Sequence, residues 1–345
     1  MVGTINDYAV IVNNVLKHVA PKVSPNVKPE YLDFMYKVDN NERIYTDVGV
    51  TGLGMGEIIP DGGIGASDAP IQGYSKNYTQ MHFTKKVRLT FQTNFFLFES
   101  PAAKIKSSVK SKVLDGKNAI EHAKNYFAQS LLAQGFNTSF TWTPINNVGV
   151  STPVSTIGAD AVEYWSQVHP REDGGAAWSN VIVDGATNSP QFTYSSLLAA
   201  RRLHSLKKDG RGNPLISQLD TLVVRAGSTS AQFAKTIKAT IDKGLAPQQT
   251  NVFNNAPATD TFKIVELSPY ENLAMDGLMW GMFDSNMMNE DYGFKYIEAL
   301  PTRAEPAVVD ALGNQDLVMN FNSLAVMGAS DLRGWMWSDG DGATV

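Results

Sequence analysis

The sequence contains no cysteine among its 345 residues, which excludes disulfides, thiolate metal sites and cysteine nucleophiles. It has no apolar run near the roughly 18 residues that a membrane-spanning helix needs. Its opening residues, MVGTINDYAV, lack the basic segment and the small-residue cleavage site of a secretory signal. The formal net charge is −5, so a basic nucleic-acid footprint is missing too, and any contact with nucleic acid should be weak, local or merely enclosing.

One stretch, VHPREDGGAAWSN at 168–180, has the residue types of an active site. His169, Arg171, Glu172 and Asp173 lie within five positions there. A general base needs an orienting partner and a pocket, whereas a proline and two glycines in a stretch without periodicity are typical of a loop. We interpret His169 as a solvated side chain among exposed charges, and a hydrolase with His169 as its base stays open as an alternative.

The other motifs that carry chemistry are incomplete. No G-x-S-x-G is present, and Asn289, Glu290 and Asp291 lack the spacing of a calcium loop. Seven glycines between positions 49 and 65 have neither the G-K-[ST] nor the following helix of a phosphate loop. The remaining histidines lie on separate predicted elements without metal-ligand spacing: His18, His82, His122 and His204. The sequence therefore predicts no catalytic, cofactor-binding or metal-binding residue, and no enzyme.

The N-terminal region reads as an arm. A one-sided apolar stripe predicts a helix over residues 1–20, carried by Ile5, Ala9, Val12, Leu16 and Val19. Prolines at 21, 25 and 29 then favour an extended segment. A helix followed by an extended strap has no core of its own, so we expect Ile5, Val12 and Leu16 to be buried against a neighbouring subunit or the chain's own long helix.

The next unit reads as a long hairpin. RIYTDVGV rises from residue 43, and YTQMHFTKKVRLTF returns at 78–91 with alternating apolar residues, apart from Lys85 on the apolar face. Between them, residues 49–73 are rich in glycine and hold few apolar side chains. Ordering such a loop costs about 1–2 kcal/mol per residue, so we expect it to gain order only against an adjacent subunit.

A mixed body completes the chain. Periodicity predicts a long one-sided helix over 102–135, interrupted at Gly116 by a kink or a break. Residues 137–185 are loop-rich, and helices over 193–208 and 229–243 then alternate with strands, with Leu206 and Phe233 on the apolar stripes. Trp335 and Trp337 share one side of a strand, which is typical of packing or interface anchors.

The order of these parts resembles tailed-bacteriophage major capsid proteins of the Hong Kong 97-like fold, and is similar to the Mu-like major head subunits. HPREDGGAAWSN at 169–180 is similar to the family's His-Pro…Gly…Ser-Asn loop. KKDGRGNPL, DTLVVRAG and AKTI follow in the family's order, and FKIVELSPY, LMWGMFD and DLRGWMWSDG look like its later strands. No single motif is diagnostic, and the resemblance, which covers nearly the whole chain, rests on their shared order.

The resemblance implies an α+β fold with five parts. They are an N-terminal arm at 1–42, an E-loop hairpin and its base at 43–93, a P-domain with the spine helix at 94–146, an A-domain at 147–312, and return strands of the P-domain at 313–345. His169 would then lie in an A-domain loop that makes contacts inside a capsomer.

The same resemblance implies a function without catalysis. Subunits would assemble with one another into hexamers and pentamers of an icosahedral shell that encloses phage double-stranded DNA without sequence-specific binding. Portal protein, scaffold and a decoration protein would be partners, membranes would not, and the virion, assembled in the host bacterial cytoplasm, would be the location. An acidic subunit suits this role because a strongly basic inner wall would bind DNA and impede packaging. An encapsulin-type shell that encloses protein cargo is the alternative. Lys76, Lys85 and Lys86 lie in the E-loop region, but no motif assigns them the Lys–Asn crosslink of some relatives.

Overall fold

Helices of very different length organise the chain. The structure is a computed structural model that describes residues 5–53, 55–59, 65, 67–90, 102–145, 151–242, 262–288, 292–309 and 316–342. The helices within these ranges are α1 (Ile5–Val19), α2 (Ala102–Ala133), α3 (Tyr194–Ser205), α4 (Thr229–Asp242) and α5 (Ser285–Met288). Short 3-10 turns at Ala20–Lys22 and Glu30–Asp33 follow α1.

The strands form two principal sheets and three two-stranded pairs. They are β1 (Tyr36–Asp39), β2 (Ile44–Val50), β3 (Gln72–Thr79), β4 (Met81–Leu89), β5 (Ser139–Trp142), β6 (Thr152–Ser155), β7 (Val183–Asp184), β8 (Thr187–Asn188), β9 (Thr221–Arg225), β10 (Lys263–Leu267), β11 (Trp280–Phe283), β12 (Phe294–Ala304), β13 (Val308–Val309), β14 (Leu317–Ala329) and β15 (Trp335–Ser338). The described chain is therefore α+β, as predicted.

The larger sheet lies against α2. Its strand order is β1-β12-β14-β13, and β4 pairs with β14 from Leu317 to Ala325. On β4, Phe83 and Leu89 are buried while the residues between them alternate outward. The Phe83 ring meets Phe127 of α2 edge-on at 6.0 Å between centroids. The period of two in the sequence therefore sets which face of β4 packs on the helix.

The smaller sheet has its own apolar core. Its order is β10-β9-β11-β15, with β9 and β10 parallel and β11 antiparallel to both of its neighbours. Helices α3 and α4 contribute Leu197, Ala234 and Ile237 to a buried cluster with Trp280 and Met336 of this sheet. The two tryptophans of β15, Trp335 and Trp337, belong to the larger core, where the ring of Trp337 stacks on Trp165 with centroids 5.0 Å apart. Both therefore pack in the chain's own interior.

The hairpin differs from the sequence prediction in its return strand. The segment 78–91 is divided at Gln80, and Phe91 lies outside the described residues. Strand β3 pairs with β2 from Ile44–Thr79 to Val50–Gln72, whereas β4 joins the larger sheet. The apolar alternation of β4 needs a buried face, which α2 supplies. Strand β3 buries mainly Tyr78, so it suits an exposed hairpin.

The arm packs on the chain's own long helix. Val12, Leu16 and Val19 are buried in one cluster with Val109 and Val113 of α2. Asn13 also exchanges two hydrogen bonds with the backbone of Ala307, at 3.0 and 2.6 Å. The predicted burial of Val12 and Leu16 is thus confirmed, and the side chain of Ile5 lies outside the described residues.

Helix α2 does not pack on one side only, contrary to the sequence prediction. The Lys117 ammonium donates to the carbonyls of Ala20 and Val23, at 2.9 and 2.7 Å. Asn125 accepts from the Glu30 backbone at 2.9 Å and donates to the Lys28 carbonyl at 2.8 Å. Proline-rich extended chain has no internal hydrogen bonds, so its backbone needs such partners. The polar face of α2 supplies them.

Gly116 neither kinks nor breaks α2, which is one helix from Ala102 to Ala133. A Cβ at this position would lie 2.4 Å from the Phe321 ring of β14. The glycine therefore permits a close approach between helix and sheet. The periodic signal alone could not distinguish this role from a kink.

Two predictions for the helices of the smaller core differ from the structure: where α3 ends, and which residues of α4 are buried. Thr193 caps α3 through a reciprocal capping box with Ser196, and the helix ends at Ser205, which leaves Leu206 69% exposed. On α4, Phe233 is 53% exposed because the buried stripe runs through Ala234, Ile237 and Ile241. The predicted end of this helix, at residue 243, lies outside the described residues.

We predict that Val12→Ala destabilises the arm and that Val10→Ala does not. Val12 is 5% exposed and Val10 59%, so only the first substitution leaves a cavity. The expected loss for Val12→Ala is about 2 kcal/mol, against less than about 0.5 kcal/mol for Val10→Ala. Urea unfolding and amide exchange of α1 measure the difference. Equal effects of the two variants would mean that α1 does not rest on α2.

We also predict that Gly116→Ala destabilises the protein although alanine is the better helix former. Helix propensity alone favours alanine by about 1 kcal/mol. The contact with Phe321 opposes this with an overpacking cost of about 1–3 kcal/mol. In thermal unfolding, the double variant Gly116→Ala/Phe321→Leu should recover part of the loss. A stabilising Gly116→Ala would show that the helix and the sheet are not in close contact here.

Candidate functional site: a cleft at the base of the hairpin

A cleft of about 110 Å³ lies where the β2–β3 hairpin meets the body of the chain. Most of its lining comes from three segments, the hairpin stem, the loop at 158–172 and the turn at 330–333, and Trp178, Gly210 and Tyr292 complete it. Its ionisable lining includes Asp47, Asp160, His169, Glu172, Asp331 and Arg333. Such a concentration of charge in a concave site makes this cleft the strongest candidate for function in the described part of the chain.

His169 is buried in this cleft, so its predicted solvation is wrong. Its Nδ1 lies 2.6 Å from Asp160 Oδ2, and its ring stacks on Trp178 with centroids 4.2 Å apart. Two backbone hydrogen bonds between His169 and Trp178, at 2.8 and 3.0 Å, fold the loop back on itself and hold the rings together. The partners lie nine residues before and nine residues after the histidine, and no periodic signal marks them.

The Asp160–His169 pair has the geometry of an oriented base but lacks a nucleophile. Among the described residues, His169 Nε2 has no hydrogen-bond partner. Nucleophilic catalysis needs a hydroxyl or thiol within hydrogen-bond reach of that nitrogen, and neither is in place. The pair therefore orients the loop at 158–178 and carries no assigned chemistry.

The three charged residues that follow His169 are all engaged in ion pairs. Arg333 contacts Glu172 at 2.5 Å and Asp331 at 3.2 Å, while Arg171 pairs with Asp173. Burial raises the pKa of Asp331, and the nearby carboxylate of Glu172 acts in the same direction. The cluster thus joins the loop at 169–173 to the turn before β15.

Two charged side chains, Asp47, which is buried, and Lys76, which is partly buried, anchor the hairpin stem to the body. Asp47 of β2 and Lys76 of β3 are cross-strand partners. Asp47 accepts from Lys295 of β12 at 2.7 Å and from the Ser330 hydroxyl. Lys76 donates to the Ile157 and Ala329 carbonyls, at 2.6 and 2.9 Å. A buried charge without its partner costs several kcal/mol, so these contacts hold the stem firmly.

The lysines considered for a crosslink differ in environment. Lys76 is fully occupied as a hydrogen-bond donor, with Tyr164 as its third acceptor at 3.0 Å. Lys85 is half-buried on β4, and Lys86 is exposed on the same strand. No crosslink is assigned to any of the three.

The remaining chemistry-bearing groups form no further site in the ranges that the structure describes. No cluster of three or more histidine, aspartate or glutamate side chains is arranged there to hold a metal ion. None of the described helices has both the length and the apolar character to cross a bilayer. Asn289, Glu290 and Asp291 lie outside the described residues, as do Gly54, Gly62 and Gly63 of the glycine-rich segment.

Three of the other described histidines contact neighbours within the fold, and His18 is exposed on α1. His82 Nε2 lies 2.9 Å from Asn322 Oδ1, and His122 Nδ1 lies 2.8 Å from the Tyr270 hydroxyl. His204 is buried beside the Ser217 hydroxyl, and this burial lowers its pKa to about 2. His204 therefore stays neutral in the folded chain far below its usual titration range.

We predict that His204 makes the fold sensitive to acid. The unfolded chain takes up a proton on this imidazole near its reference pKa of about 6.5. The folded chain does so only near 2. Unfolding is therefore increasingly favoured as pH falls through this window, by about 2 kcal/mol between pH 6 and pH 4.

Urea unfolding at both pH values should show this loss in the parent and a smaller one in His204→Gln. Carboxylates contribute equally to both proteins, so the difference isolates the histidine. An NMR titration in which His204 protonates above pH 5 in the folded protein would contradict the prediction.

Comparison with known proteins gives similarities of fold. No family model and no curated protein matches the chain. The capsid of a native GTA particle is 10% identical, with 91% of each chain covered and a TM-score of 0.48. The capsid of Myoviridae Phage XM1 is 10% identical over 92% of this chain and 93% of that chain, at 0.47. A virus-like particle from Pyrococcus furiosus is 7% identical over 95% and 97%, at 0.39. These TM-scores are below 0.5, so the function has to be argued from contacts within the chain.

Proposed function

We propose that the chain is a shell subunit of Hong Kong 97-like fold, the major capsid protein of a tailed phage. In this proposal it assembles with itself into hexamers and pentamers of an icosahedral shell around double-stranded DNA. The parts are those expected from the resemblance: arm 1–42, hairpin and base 43–93, P-domain 94–146 with return strands 313–345, and A-domain 147–312. Scaffold, portal and decoration proteins are its proposed partners, and the virion, assembled in the host cytoplasm, its proposed location.

The observation that carries this proposal is the exposed end of an anchored hairpin. Beyond the charged side chains of Asp47 and Lys76, the chain presents apolar side chains to solvent: Leu53 at 58%, Met55 at 74%, Ile58 at 101% and Ile59 at 41% exposure. Exposed apolar side chains do not stabilise a monomer in water, whereas their burial against a second copy would contribute favourable free energy. A firmly held stem with an apolar end is therefore suited to association.

A structural role also fits the cleft. The Asp160–His169 pair has no nucleophile in reach, and the acid–base groups around it are consumed in ion pairs. The net charge of −5 favours enclosing DNA over binding it. The hydrolase alternative would need His169 to activate a water molecule, because no described hydroxyl or thiol is hydrogen-bonded to its Nε2.

The encapsulin-type alternative predicts the same shell with different contents. The purified particles distinguish the two. Negative-stain microscopy and light scattering of the chain, with or without scaffold, should show closed shells. Nuclease-protected double-stranded DNA inside particles from infected or induced cells supports the phage capsid, and particles that hold only a protein cargo support the alternative. A chain that remains a small soluble species under all conditions would overturn the proposal.

We predict that Ile58→Glu impairs shell assembly without changing the stability of the subunit. The side chain is fully exposed, so the free energy of unfolding should change by less than about 0.5 kcal/mol. Assembly buries it against a second copy, where a carboxylate without a partner is costly. Ile58→Leu is the matched control and should assemble normally. Normal shells from Ile58→Glu would remove the hairpin end from the interface.

A further inference from the structure

The turn at residues 209–213, DGRGN, is held in shape by its own first residue. The Asp209 carboxylate accepts from the backbone N–H groups of Arg211 and Asn213, at 2.9 and 2.8 Å, and from the Asn213 side-chain amide at 2.8 Å. The Asp209 N–H donates to the Asn213 carbonyl at 2.9 Å. Gly212 has φ of +89°, in the left-handed region that favours glycine. Contacts within five residues therefore fix this turn.

The hairpin rests on this preformed turn. The Asn213 side-chain amide donates to the Leu53 carbonyl at 3.1 Å, and Arg211 forms an ion pair with Asp68. Thr51 is buried at 6% exposure, and a Cβ on Gly210 would lie 2.7 Å from a Glu172 carboxylate oxygen and 2.8 Å from the Thr51 methyl group. A side chain at position 210 would therefore press on both Glu172 and the hairpin.

The turn contacts both legs of the hairpin. Thr51 and Leu53 follow β2, and Asp68 precedes β3. Thr51 and Ile71 tie the legs together through hydrogen bonds of 3.0 and 2.9 Å. The stem is already attached to the body at Asp47 and Lys76. With the stem contacts alone, the hairpin could pivot about its base. The second attachment, at the turn, fixes its direction.

The apolar end stays exposed while these contacts are made. Met55 and Ile58 are 74% and 101% exposed with the turn in place, so the turn does not cover the side chains that a second copy would bury. An autoinhibitory contact would hide them. The geometry points to a positioning device: we propose that the turn at 209–213 is a clasp that fixes the direction of the hairpin in the unassembled subunit and presents its apolar end to a second copy. Only the last step rests on the proposed function. For the legs of the hairpin, the clasp replaces the expectation that residues 49–73 gain order only against an adjacent subunit.

A distance measurement on the free subunit tests the clasp. The chain has no cysteine, so single cysteines at Ile58 and Ile216, both 101% exposed, can carry nitroxide labels with little disturbance. Pulsed electron–electron double resonance on the full-length, unassembled protein then reports the distribution of distances between the label at the hairpin end and the label on the body. We expect one narrow distribution.

Arg211→Glu should broaden this distribution at least twofold, because it opposes Asp68 with a like charge. Asp68→Lys in the same chain should narrow it again. Lys235→Glu breaks a comparable exposed ion pair with Glu266, away from the hairpin, and should leave the width unchanged. Gly210→Val should broaden it through steric contact with Thr51 and Glu172. A broad distribution in the parent, or an unchanged width in both Arg211→Glu and Gly210→Val, would refute the clasp.

An assembly assay on unlabelled protein separates the two levels of inference. If the parent forms shells, Arg211→Glu should slow assembly and the charge-swapped double variant should restore it. Assembly at the parent rate despite a broadened hairpin would disprove presentation to a second copy. If no form of the protein assembles, the proposed function fails, while the distance measurement still decides whether the clasp exists.

Discussion

The C-terminal third of α2 is the point at which the separate parts of this chain are joined. Gln129 donates to the Ser268 carbonyl at 3.0 Å and to Glu30 of the arm at 3.3 Å. Trp165 donates its indole N–H to the Leu132 carbonyl at 2.7 Å, and its ring stacks on Trp337 of the smaller sheet. One buried helical segment therefore binds the arm, both sheets and the loop region. Removal of any one of these parts would leave buried polar groups on α2 without their hydrogen-bond partners.

The same requirement that buried polar groups find partners explains how the hairpin is held. A two-stranded ribbon is marginal by itself in water. Here the cross-strand pair Asp47 and Lys76 is inserted into the body, where Lys295 and the Ile157 and Ala329 carbonyls receive it. The apolar end needs no contact of its own for the stem to persist. Stem and end therefore differ in physical terms: polar contacts within the chain hold the stem, and the apolar side chains of the end stay exposed to solvent.

The cleft shows that residue types common in catalysis can also serve as contacts between elements. Asp160 orients His169 as it would orient a general base, and Arg333 pairs with both Glu172 and Asp331. Their partners lie on different elements, so the cluster acts as a joint between the loop at 158–173 and the turn before β15. Contacts of this kind set the direction of the loop at 158–173, which would matter for the proposed assembly.

The sequence by itself determined the elements with strong periodicity. The stripe of Val12, Leu16 and Val19 specified α1, and the alternation around Phe83 and Leu89 specified β4, because a buried face imposes its own repeat on the chain. Its absences were equally informative, since a chain without cysteine has no thiol chemistry to offer. Only the tertiary structure decided where polar residues went. Lys117 and Asn125 lie off the predicted apolar stripe of α2 but bind the arm. Gly116 is predicted to mark a kink or a break, but it allows the close approach of Phe321. His169 read as solvated but is stacked on Trp178. Hydrogen-bond partners and close approaches join residues far apart in sequence, and they have no period that a sequence can display.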